Sequence, residues 1–119
     1  MKQGYGVETF PNGDQYRGQY EQGKPHGHGV YLWINGATYT GPFHQGLREG
    51  EGLWVGEAGD EYRGRFSADR KNGPGEFKWA NGNYYKGWFC EDVREGEGTM
   101  WWSDGSTYSG RWERGLPNG

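Results

Sequence analysis

With 119 residues, 25 of them glycine and only 31% apolar, the chain holds too few Leu, Ile and Val to fill an ordinary two-layer core. Seven Trp, nine Tyr and five Phe supply the burial instead, and they exclude a disordered linker, which would lack both aromatics and register. A formal charge of -3 disfavours nucleic acid and general adsorption to anionic membrane, while the lone Cys90 forms no intramolecular disulfide and suits a reducing compartment.

In chain order, the first predicted element is a strand that opens at Gly4-Tyr5-Gly6 and runs to Phe10, where Pro11-Asn12-Gly13 makes a turn. Gly13 can take the positive φ a hairpin demands, and Pro11 suits the second position of a type I turn. A second strand carries Tyr16, Gly18 and Tyr20, and the connector Glu21-Gln22-Gly23-Lys24-Pro25-His26 leads to Gly27-His28-Gly29. The order then repeats. Tyr31 and Trp33, the turn Ile34-Asn35-Gly36, and Tyr39, Gly41 and Phe43 make the second unit. Trp54, the turn Ala58-Gly59, and Tyr62, Gly64 and Phe66 make the third. Phe77 and Trp79 precede Ala80-Asn81-Gly82 and then Tyr85, Gly87 and Phe89; Met100 and Trp102 precede Ser103-Asp104-Gly105 and then Tyr108, Gly110 and Trp112. Tyr-x-Gly therefore stands five times at an interval of 23 residues, and Gly-x-Gly keeps the same interval. The chain is a repeat array, and arrays build long surfaces rather than enclosed catalytic pockets.

Loop length decides which side chains share a face, because successive strand residues point to opposite sides. A two-residue loop would pair Leu32 with Tyr39 and split the rings between faces. A three-residue loop, a type I turn completed by a left-handed Gly, pairs Tyr31 with Tyr39 and Gly29 with Gly41 and puts Tyr31, Trp33, Tyr39 and Phe43 together. The Gly between each Tyr and the next ring faces the same way and leaves room for a neighbouring ring. The connectors are too short for crossover helices, so the predicted fold is an all-β antiparallel meander of about ten strands, on the order of 45 Å long. Twist turns its aromatic face into a groove rather than a closed barrel, with both edges open. The array is read as one domain over 1–119, with hairpins near 4–22, 27–45, 50–68, 73–91 and 96–114. Its ends look cut in phase, so a segment of a longer array is expected.

Tyr-x-Gly-x-(Trp/Phe), a connector Gly and Gly-x-Gly at this period closely resemble the MORN repeat family, and the resemblance covers essentially the whole chain. It implies an elongated single-sheet array of hairpins. It also implies the contexts in which such repeats occur: scaffolds of cilia and cytoskeleton, junctophilin-like membrane-contact proteins, and attachments to some lipid kinases and methyltransferases. Two departures stand out. Asp69 and Asp92 replace the connector Gly seen at Gly23, Gly46 and Gly115, and Gly56 stands where other units carry Phe10, Trp33, Trp79 and Trp102.

No catalytic constellation emerges. His26, His28 and His44 lack the companion ligands of a metal site, Glu49/Glu51 and Glu95/Glu97 recur in phase as exposed, solubilising carboxylates, and no helix follows Gly-x-Gly to hold a phosphate. The chain is expected to be non-enzymatic, without cofactor or metal. Its predicted task is protein binding along the aromatic groove, with Tyr16, Trp33, Tyr39, Tyr62, Phe66, Trp79, Tyr85, Phe89 and Tyr108 as candidate contacts. Gly56 leaves either a gap repacked by Trp54 or a notch for a partner's side chain. The opposite face carries Arg17, Arg63, Arg65, Lys86 and Arg111, and reads as basic and partly apolar, an alternative site for an anionic phospholipid or an acidic segment. Open ends raise a third reading, homo-oligomers by end or edge docking. No apolar run approaches the roughly 20 residues of a membrane span, so the expected location is intracellular, cytoplasmic or cytoskeletal and ciliary, with peripheral membrane contact as an alternative.

Overall fold

Strands and tight turns account for the whole computed structural model, which describes residues 4–117. The strands are β1 (Gly4–Thr9), β2 (Gln15–Glu21), β3 (Lys24–Leu32), β4 (Thr38–His44), β5 (Leu47–Arg48) and β6 (Gly50–Val55), then β7 (Glu61–Ser67), β8 (Arg70–Lys78), β9 (Tyr84–Cys90), β10 (Val93–Trp101), β11 (Thr107–Glu113) and β12 (Leu116–Pro117). Each pairs antiparallel with the next in sequence, except that β4 pairs with both β5 and β6. The result is one open, twelve-stranded meander measuring 51 × 24 × 18 Å. Two of the strands, β5 and β12, have only two residues.

The register is that of the three-residue loop. Tyr31 pairs with Tyr39 and Gly29 with Gly41. The turn is closed by the Trp33 N–H donating to the Ala37 carbonyl at 2.9 Å and the Gly36 N–H donating to the Trp33 carbonyl at 3.0 Å, with Gly36 at φ 99°.

The glycines do a different job from the one expected. Gly6, Gly18, Gly29 and Gly41 pair in a row across β1 to β4, and Gly52, Gly64, Gly75, Gly87, Gly98 and Gly110 continue it across β6 to β11. Except at Gly6, which faces Tyr20, what lies over these glycines is the tyrosine of a Tyr-x-Gly motif rather than the ring that follows it. A Cβ on Gly29 would stand 2.4 Å from the Tyr16 hydroxyl, and one on Gly75 would stand 2.5 Å from that of Tyr62. Each hydroxyl crosses the glycines to reach a carbonyl three residues on: Tyr16 donates to Gln19 at 2.7 Å, Tyr39 to Pro42 at 2.8 Å, Tyr62 to Arg65 at 2.9 Å and Tyr85 to Trp88 at 2.9 Å. Beside Gln19, Arg65 and Trp88 the neighbouring strand slips in register, so the tyrosines complete hydrogen bonding where the ladder breaks.

The connectors are not loose. Each is a second hairpin with a two-residue turn whose central residues are both left-handed: Gln22 and Gly23 at φ 52° and 80°, Ala68 and Asp69 at 49° and 74°, Glu91 and Asp92 at 50° and 72°. The four later turns each dock on the preceding connector. Gly46 donates its N–H to the Pro25 carbonyl, Asp69 to Arg48, Asp92 to Lys71 and Gly115 to Arg94, at 2.8 to 3.0 Å. The turns along the other edge are tied in the same way by side chains, Asp14 accepting from the Ile34 N–H, Asp60 from Ala80 and Asn83 from Ser103. The sheet is thus braced along both margins.

The core is a single file of rings. Tyr20, Tyr16, Phe43, Tyr39, Phe66, Tyr62, Phe89, Tyr85, Trp112 and Tyr108 meet edge to face in that order, with centroids 5.1 to 5.4 Å apart. Contacts of this geometry contribute about 0.5–1.5 kcal/mol each beyond area burial, and they join every repeat to the next.

Candidate partner-binding groove

The tyrosines named as contacts lie beneath the surface. Tyr16, Tyr39, Tyr62 and Tyr85 are 0% exposed, and Phe66 and Phe89 are buried with them. They form the floor. Burial raises the hydroxyl pKa values of Tyr16 and Tyr85 to about 12 and pushes Tyr39 and Tyr62 in the same direction. The accessible aromatic surface belongs to a second tier of half-buried rings: Trp33, Trp54, Phe77, Trp79, Trp102 and Tyr108. Tyr31 meets Trp33 at 4.7 Å and Phe77 meets Trp79 at 4.5 Å, pairing the wall rings within those two repeats.

Gly56 interrupts this wall, and Trp54 takes the vacated space: a Cβ on Gly56 would fall 2.6 Å from the end of the indole ring. Beside it, Arg48, Trp54, Tyr62, Phe66, Lys71 and Phe77 line a cleft of about 400 Å³. A second cleft, of about 240 Å³, continues along Phe77, Trp79, Phe89, Val93 and Arg94.

The far rim of the groove is cationic, a feature the sequence reading missed. Arg48, Lys71 and Arg94 recur 23 residues apart in the column that begins with Pro25. The second hairpins fold them over the rings. The Arg48 guanidinium lies 4.8 Å from the Phe66 centroid, the Lys71 ammonium 5.7 Å from that of Tyr62, and the Arg94 guanidinium 4.8 Å from that of Trp112. The 23-residue column was visible in the sequence. Its direction was not, because it is set by the tight turns within the connectors.

The opposite face is less basic than expected. Cross-strand register places Glu76 between Arg63 and Lys86, Glu51 opposite Arg65 and Glu97 opposite Arg111, so the signs alternate. Glu51 and Glu97 both lie within strands. Arg17 is exposed between Val7 and Val30. Trp88 is 50% exposed here, and Trp101 packs on Tyr84. Glu49 and Glu95 turn out to have defined partners, accepting the backbone N–H of Ala68 and Arg114, and His26 accepts that of Gln45 through Nδ1. These three occupy one repeat column and tie successive turns together. Among the described residues no helix is long and apolar enough to cross a membrane.

Edge-open hairpins stacked at a fixed period, with rings on one side and paired charges on the other, define a β-repeat protein. The repeat model of the MORN family matches residues 1–15, 16–38, 39–61, 62–84, 85–107 and 108–119, the whole length, and the chain belongs to that family. No curated protein matches it.

Proposed function

We propose that the chain is a non-enzymatic protein-interaction scaffold that receives an extended or helical segment of a partner along the aromatic groove. The observation that carries this reading is the tier of half-buried rings, Trp33, Trp54, Phe77 and Trp79, that lies over a fully buried floor. These rings leave apolar surface facing solvent in clefts of side-chain size, the geometry of an anchor site. The glutamates set among the cations of the opposite face weaken its attraction for anionic lipid, which favours the groove as the binding surface. A ciliary or cytoskeletal assembly fits such a scaffold.

The test is capture of partners from reducing lysate, followed by titration of the purified partner segment against wild type and Trp79→Ala. Trp79→Ala removes half-buried wall rather than floor, and circular dichroism checks that the variant keeps its fold. Loss of affinity of about 30-fold or more is the expected result for an anchor ring; unchanged affinity in the folded variant removes the groove from consideration.

A further inference from the structure

The three rim cations are not equivalent. Arg48 donates through Nε to Asp69 Oδ1 at 2.7 Å, and Lys71 Nζ stands 3.3 Å from Asp92 Oδ1. Each carboxylate comes from the second central position of the following tight turn. For Arg94 that position is Gly115, and the guanidinium donates instead to the Gly115 carbonyl at 2.8 Å. No carboxylate among the described residues lies within ion-pairing distance of Arg94. It is half-buried against Trp112, Trp79 and Tyr85, at 4.8, 5.5 and 6.0 Å, and it borders the cleft that Phe77, Trp79 and Val93 line. Desolvation lowers its pKa, and an arginine answers such a cost by finding a counter-charge rather than by losing its proton.

We propose that Arg94 fixes the register of the bound partner by taking the carboxylate of a single Asp or Glu from an otherwise apolar segment, whose neighbouring side chains rest on Phe77 and Trp79. The proposal rests on the groove reading above and adds the chemistry of the occupant. A guanidinium fork matches one carboxylate in a bidentate pair. A doubly charged phosphate fits less well, because Asp92 borders the same cleft and would repel it. The rings on either side favour a peptide carbon skeleton over a small hydrated anion.

The repeat supplies its own control. Asp69 and Asp92 occupy this turn position at φ 74° and 72°, and Gly115 sits at 81°, so Gly115→Asp fits the backbone and gives Arg94 the carboxylate its counterparts have. Short displayed peptides would be selected on the intact chain, synthesised with each acidic residue and with its amide counterpart, and titrated against wild type, Trp79→Ala, Arg94→Gln, Arg94→Lys and Gly115→Asp. Vesicles of equal parts phosphatidylserine and phosphatidylcholine form a parallel arm.

The expected result is an Asp or Glu at one fixed position in the selected peptides. Changing it to the amide should weaken binding about 10- to 100-fold. Arg94→Gln and Gly115→Asp should cause the same loss, Arg94→Lys a partial one, and the amide peptides should not distinguish wild type from Gly115→Asp. Gly115→Asp should also melt no lower than wild type. Peptides that require Trp79 but bind Arg94→Gln and Gly115→Asp as wild type overturn the proposal and leave the groove reading standing. Absence of any Trp79-dependent peptide removes both. Vesicle binding lost in Arg94→Gln, with no acidic preference among peptides, overturns the proposal in favour of a lipid headgroup.

Discussion

At the scale of single residues, the tyrosine and glycine of Tyr-x-Gly are one device. The glycine is empty so that its own tyrosine can cross the strand pair and reach the carbonyl three residues on. Gly75 has no positive φ, so Gly75→Ala tests the space alone: its Cβ would overlap the Tyr62 hydroxyl, and a loss of about 3 kcal/mol in urea unfolding is expected. Gly105→Ala provides the contrast. Nothing lies within 4 Å of its Cβ and only its φ of 93° resists substitution, so about 1 kcal/mol should be lost. Equal losses at the two positions would contradict the account.

The same tyrosines govern behaviour at high pH. Their folded-state pKa values, about 12 for Tyr16 and Tyr85, lie above the ordinary 10.0 because burial disfavours the phenolate. The unfolded chain therefore releases these protons first. The associated stability is present in full below pH 10 and is lost as pH rises toward 12, so tyrosinate absorbance and loss of circular dichroism should rise together in that window. Ionisation of the buried tyrosines with the fold retained would show that the rings are more open to solvent than described. Which residues share a face was legible in the sequence, since parity and loop length settle it. That the tyrosines are floor and not wall was not legible, because period 2 says which side a ring is on and nothing about how deep it lies.

At the scale of the element, the second hairpins decide where the function can be. As connectors without an assigned turn they hide the cationic rim and leave Glu49 and Glu95 as solubilising carboxylates. Read as tight turns, they explain the column of Arg48, Lys71 and Arg94 and the amide caps made by His26, Glu49 and Glu95. The signal was weak because Gln22, Gln45, Ala68, Glu91 and Arg114 hold positive φ without being Gly or Asn, the residues by which such turns are usually recognised. Strain at these sites is recoverable. Ala68→Asn keeps the Ala68 backbone bond to Glu49 and should stabilise the chain by about 0.5–1 kcal/mol, read as a higher melting temperature. A lower one would mean the turn is held by contacts other than those described.

At the scale of the whole molecule, each repeat touches its neighbours through the file of rings, the two turn ladders and the glycine row, and the groove is the surface this stacking leaves over. Its length follows from repeat number, and its local character from departures within the repeat: Gly56 lets Trp54 spread into the wall, and Gly115 offers Arg94 a carbonyl in place of the carboxylate of Asp69 or Asp92. The overall meander was legible from five coincident columns, while the difference between the two faces needed the register that sets Glu51, Glu76 and Glu97 among the arginines. The central claim is that the ringed face, not the charged one, receives the partner. The seven Trp residues report on both faces at once, so the decisive measurement is an NMR titration of their indole N–H signals with a captured partner segment. The account predicts shifts at Trp33, Trp54 and Trp79 with Trp88 and Trp101 unmoved; shifts confined to Trp88 and Trp101 would place binding on the opposite face and contradict it.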